Sequence, residues 1–135
     1  MSRMSYAEAD KLADVISSLF KTYTDEITEG IKKNVDIVSD EVNTEIKEHI
    51  SFDQPTKDYV KAFRIKRSAS EDRYNKTNIW YVSGKQYRLT HLLEKGHALW
   101  RGGRTKAFPH IKYGEEIAQK RMVELSEEVI KNAGR

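Results

Sequence analysis

The chain has 135 residues, 33% of them charged and 38% hydrophobic, with a formal net charge of +3 and no cysteine. One domain is the simplest fit to that length, and disulfide frameworks and thiolate metal sites are excluded. Apolar stretches never approach the ~20 residues of a spanning helix, and Glu8 and Asp10 interrupt any secretory leader, so a soluble, intracellular chain without membrane partners is expected.

Ser5, followed three residues later by Glu8, forms a capping box that opens a helix. Leu12, Ile16, Leu19, Phe20, Tyr23, Ile27, Ile31, Val35, Val38, Val42 and Ile46 then recur every three or four residues, which is helical spacing. A helix from Tyr6 to His49 would be roughly 66 Å long at ~1.5 Å per residue, more than so small a domain covers on its own. Gly30 costs about 1 kcal/mol in a helix interior and is the point where such a rod would bend or fold back. The sustained spacing favours one long helix whose distal part is exposed or held in an interface. A heptad coiled coil fits less well, because the spacing drifts from a strict 3.5 period.

Pro55 ends the helical region by biasing Gln54 away from helical geometry. Phe63 to Arg67 reads as a strand with Phe63 and Ile65 facing the core, and Ser68 to Asp72 as a polar turn. Tyr74 to Val82, rich in aromatic and β-branched residues, is the best strand. Ser83-Gly84-Lys85 is a tight turn from which Gln86–Thr90 pairs back as a hairpin. Leu92 to Gly96 is one helical turn stopped by glycine. Gly102-Gly103 marks a flexible loop, and Thr105–Phe108 is a short extended segment. Tyr113 to Asn132 closes the chain as a helix with Ile117, Met122, Leu125 and Ile130 on its apolar side. The expected fold is α+β: a long N-terminal helix (1–50), a small antiparallel sheet of about three to four strands with the loop region (59–108), and a C-terminal helix (112–133) packed on one face.

Charge is divided along the chain. Residues 1–50 hold 6 Lys/Arg against 11 Asp/Glu, and residues 51–135 hold 18 against 10. Opposed halves suit head-to-tail self-association or docking between oppositely charged surfaces.

His91, Glu94 and His97 form the one pattern that resembles a metal site. Its histidines are six apart, with Gly96 between them to end the helix, where the zinc signature spaces them four apart on a continuous helix. Histidines that bond the loop are the favoured reading. His91 and Glu94 are also candidates for acid–base work, but no Gly-x-Ser-x-Gly elbow supplies a nucleophile. Gly102-Gly103 lacks the spacing of a phosphate-cradling loop. No catalytic residue, metal or cofactor is assigned, and the chain is not expected to be an enzyme. Trp100-Arg101-Gly102-Gly103-Arg104-Thr105-Lys106 places three cations beside an aromatic. Three readings are open: an exposed turn with Trp100 tucked against the sheet, a protein interface, or a phosphate-binding loop with Trp100 stacking on a base. The interface reading leads, with His97, Trp100, Arg101, Gly102, Gly103, Arg104 and Lys106 as its residues.

The segment from Tyr87 to Ile111 carries a resemblance. Tyr87-Arg88-Leu89-Thr90-His91-Leu92-Leu93-Glu94-Lys95-Gly96-His97-Ala98, then Gly102-Gly103-Arg104, then Pro109-His110-Ile111, resembles the signature of a siphophage tail-component family. These are small tail-completion or minor tail proteins of the head–tail joining region. Upstream, Pro55 to Ile65 is similar to that family's Lys-Thr-Gly-x-Tyr-x-x-Ser-Trp-x-Val lead-in to the sheet, and Asn75-Lys76-Thr77 to its Asn-Lys-Thr. Asp58 replaces the usual glycine, Phe63 replaces a tryptophan, and Trp100 stands where the family often has a polar or basic residue. The resemblance implies a virion protein, assembled in the bacterial host cytoplasm, that forms a ring and meets tail-tube, tail-terminator and head-connector proteins. DNA in the channel is the further candidate partner. A basic nucleic-acid-binding module is the main alternative, and a metal-dependent enzyme using His91, Glu94 and His97 the weaker one.

Overall fold

The computed structural model describes residues 6–54 and 57–134. The order is α1 (Tyr6–Glu48), α2 (Asp58–Lys61), β1 (Phe63–Glu71), β2 (Lys76–Val82), a 3-10 turn (Gly84–Gln86), α3 (Tyr87–Lys95) and α4 (Ile111–Asn132). Ser5 of the expected capping box and the helix-ending Pro55 lie outside the described residues.

The long helix is a single element of 43 residues that runs through Gly30 without a break. Gly30 is needed for packing: a Cβ there would sit 2.7 Å from Val129 Cγ1 of α4. At the other end of the pair, a Cβ on Gly114 of α4 would sit 2.7 Å from both Cδ1 and Cγ1 of Ile46. These two close approaches fix α4 antiparallel to α1, with Val129 beside Gly30 and Gly114 beside Ile46. Arg121 pairs with Glu41 between them at 2.9 Å. The face of α4 that meets α1 thus includes Val129, while Ile130, expected on the apolar side, is half exposed.

At 22 residues, α4 is about 33 Å long and α1 about 65 Å. The overlap ends where Gly134 N–H donates to Glu26 Oε2. Residues 7–24 of α1 are exposed throughout, forming an arm beyond the folded body.

The sheet lies across another side of α1. Phe63 pairs with Val82, Ile65 with Trp80 and Lys66 with Ile79 in antiparallel register. Alternation puts Phe63, Ile65 and Arg67 on one face with Lys76, Asn78, Trp80 and Val82, and this face meets the helix. Trp80 Nε1–H donates to Asn43 Oδ1 at 3.0 Å, Lys76 pairs with Asp36 at 2.7 Å, and Arg67 pairs with Asp36 and Asp40. The core of Ile46, Tyr59, Ala62, Phe63 and Val82, flanked by Phe52 and Leu93, gathers at the C-terminal end of α1. The arm has no share in it.

Three expectations about the sheet fail. Among the described residues it has two strands, fewer than the three to four expected. The first strand does not stop at Arg67: a bulge between Lys66 and Ser70, with Ser68 at φ 51, carries it on to Glu71. The turn falls instead at Asp72–Asn75, where Asp72 Oδ1 accepts the N–H groups of Tyr74 and Asn75, a side-chain turn of the kind aspartate favours. Gln86–Thr90 does not return as a hairpin strand. Gly84 opens a 3-10 turn that passes directly into α3. Among the described residues no helix is long and apolar enough to cross a membrane.

Candidate functional site

Two surfaces lie at opposite ends of the molecule: a hairpin tip between α3 and α4, and the arm of α1.

The tip begins where α3 stops. Gly96 has φ 69, and a Cβ there would lie 2.5 Å from Thr105 O, so both its backbone angle and the close approach of the returning chain require glycine. The two limbs are then laced together. His97 N–H donates to Thr105 Oγ1 at 2.9 Å and Thr105 N–H donates to His97 O at 2.8 Å. Ala98 bridges to Arg104, and Leu99 N–H donates to Gly103 O at 2.9 Å. Gly102 N–H closes a four-residue turn onto Leu99 O at 3.0 Å. Gly102 and Gly103 take φ 97 and 79 to reverse the chain. The segment expected to be a flexible loop is therefore a hydrogen-bonded hairpin, with Trp100 and Arg101 at its apex.

Trp100 is 92% exposed, which rules out the reading that tucked it against the sheet. The Arg101 guanidinium lies 5.6 Å from its ring centre. Of the other expected interface residues, His97 is turned inward, with Nδ1 3.0 Å from Thr105 Oγ1. Arg104 Nη2 donates to Gly96 O at 3.3 Å, and Lys106 sits 5.5 Å from the Phe108 ring centre. The cations are divided between apex, hairpin neck and base and do not form one patch.

The signature residues divide between core and surface. His110 is fully buried. Its Nδ1 is 2.7 Å from Phe108 O and 3.1 Å from Glu94 Oε2, both acceptors, so Nδ1 carries the proton. Its Nε2, 2.8 Å away, then accepts from Tyr59 Oη. Burial pushes the Tyr59 phenol up, against a lowering bond with Thr90. Leu93 packs on the core, and Phe108 N–H donates to Leu93 O at 2.6 Å. Leu89 and Leu92 of the signature are exposed, as are Tyr87 and His91. Pro109 is half-buried beside His110.

Glu94 has a role that the sequence did not suggest. Its Oε2 accepts the N–H groups of His110 and Ile111 at 2.8 and 3.0 Å, and Oε1 that of Lys112 at 3.1 Å. It caps the first turn of α4 from another helix, at the end where a negative charge is favourable. Burial raises its pKa, but the three N–H bonds outweigh that and hold it below the ordinary glutamate value. This use separates Glu94 from His91, which is exposed, and from His97, which bonds Thr105. Among the described residues no group of three His, Cys, Asp or Glu side chains is placed to hold a metal ion.

The arm presents Leu12, Ile16, Leu19, Phe20 and Tyr23 along one stripe, each at least 40% exposed. Ile16, Leu19, Phe20 and Tyr23, with Glu26 and Gly134, line an open groove of about 690 Å³. Large apolar side chains massed on one exposed stripe mark an interaction surface. Compared with family models, with characterised proteins and with solved structures, the chain matches none.

Proposed function

We propose that the chain is a structural subunit of the head–tail joint of a long-tailed bacteriophage, a tail-completion or neck protein that assembles as a ring and links tail tube to head connector. The observation that carries the reading is the helical arm: residues 7–24 expose an apolar stripe that the protein's own body does not cover. A neighbour that covers the stripe would remove its apolar side chains from water and stabilise the arm. The resemblance of Tyr87–Ile111 to a tail-component signature supplies the kind of assembly, and the acidic N-terminal and basic C-terminal halves suit subunits stacked against unlike surfaces.

Light scattering on purified protein, alone and with tail-tube and connector proteins, tests this. The expected result is a particle of several times 15.7 kDa, or a stoichiometric complex with one of those proteins. A strict monomer at high concentration that also ignores them would overturn the proposal.

A further inference from the structure

We infer that the subunits join head to tail, with the Trp100–Arg101 tip of one copy seated in the Ile16–Leu19–Phe20–Tyr23 groove of the next. This contact rests on the reading of the chain as a ring-forming subunit and specifies what holds the ring.

Four observations carry it. First, both surfaces are apolar and uncovered: Trp100 is 92% exposed, Leu19 64% and Phe20 67%. A tryptophan offers about 150–250 Å² for burial, and tryptophan and arginine are the residues most enriched at the energetic centres of interfaces. Second, both surfaces are already formed in the single subunit. The tip is narrow and held rigid by its cross-limb hydrogen bonds, so little ordering is lost when it docks. The groove of about 690 Å³ is open. Third, the charges are opposite. The apex carries Arg101 and no acid, whereas residues 7–29 hold six carboxylates against Lys11 and Lys21. Glu26 stands in the groove wall, and the stacked Arg101 accompanies Trp100 to the contact.

Fourth, one molecule cannot satisfy both surfaces by itself. The tip joins the body where Glu94 caps the N-terminus of α4, beside the C-terminal end of α1. The groove lies past the other end of α4, where Gly134 meets Glu26. The contact is therefore between copies, and because it pairs unlike patches it is heterologous, the kind that generates rings when the rotation closes.

The absence of native cysteine makes thiol cross-linking clean. Trp100→Cys and Leu19→Cys, made separately in the full chain, replace exposed side chains and leave the core intact. Mixed and treated with a short bis-maleimide, the two variants are expected to give a hetero-linked dimer, while neither variant alone links to itself. A chain carrying both is expected to give a ladder ending at the ring size. Trp100→Ala is expected to weaken self-association at least about tenfold.

Self-linking of Leu19→Cys alone would overturn the inference in favour of paired arms. A multi-subunit particle by light scattering with no link from position 100 to position 19 would overturn the contact and leave the ring reading standing. A monomer would overturn both. A full ladder whose product joins neither heads nor tails would support the contact and remove the neck reading.

Discussion

Replacing Tyr59 by alanine is expected to cost about 3–5 kcal/mol, the range for removing a large buried aromatic. That is a large share of the roughly 5–15 kcal/mol that holds a typical domain together. Tyr59 is 4% exposed and belongs to the buried cluster that reaches from α2 to the sheet and the base of the tip. Its ring meets Phe52, Phe63 and His110 edge-on, with centroids 5.2–5.6 Å apart. Its hydroxyl is the partner of His110 Nε2. Tyr59→Phe separates the two contributions. It keeps the ring and leaves a buried imidazole nitrogen without its bond, which costs about 1–3 kcal/mol. Urea unfolding of both variants checks this. Equal losses would mean that the hydroxyl matters more than the packing, contrary to the geometry.

Glu94→Ala is expected to cost about 2–4 kcal/mol, since charge-assisted hydrogen bonds contribute about 1.5–3 kcal/mol each and caps about 0.5–2, without full additivity. Three N–H groups at the start of α4 lose their acceptor, and the tip loses the tie that sets its angle to the body. The effect carries a pH signature. The folded-state pKa of Glu94 lies below its ordinary value, so its stabilisation is present above the unfolded value of about 4.3. It is lost as pH falls through the folded value. Asp36 acts in the same direction: bonds from Lys76 and Asn78 hold it at about 2 against an ordinary 3.8. The protein is therefore expected to lose stability on acidification from about pH 4.5 toward pH 2. Glu94→Gln, neutral throughout, should show a smaller loss between pH 6 and pH 3 than the parent. An unchanged pH dependence would show that Glu94 does not act as the cap described.

The long helices and the two strands were legible in the sequence because each buries a face of fixed period, whereas the turn between the strands was placed too early. The three- and four-residue spacing from Ile27 to Ile46 marks the side of α1 that packs, and the aromatic run Asn78 to Val82 marks β2. Whether α1 runs straight on past Gly30 was not legible, because the glycine could mark a bend and its packing partner Val129 lies 99 positions away. The segment Tyr87–Thr90 misled: Tyr87 and Leu89 alternate with polar residues as a half-buried strand would. Both side chains are exposed in the fold, so the alternation marks no buried face, and α3 is set by Leu93 packing on the core. Thr105–Phe108, read as extended, became the returning limb of the tip and adds no strand.

The candidate site was legible as composition and hidden as geometry. Trp100, Arg101 and the glycine pair were identifiable as a loop, but not as the apex of a hydrogen-bonded hairpin. The inward turn of His97 and Arg104 depends on the opposite limb. The Glu94 cap reaches 16 residues along the chain, and the Tyr59–His110 bond spans 51. Such links form only after the core has brought their elements together, and no local pattern announces them.

Electron microscopy of phage particles assembled without this protein tests the central claim most directly. The account predicts filled heads and finished tails lying separate, with joined particles restored when the purified protein is added. Heads and tails joined normally in its absence would contradict it.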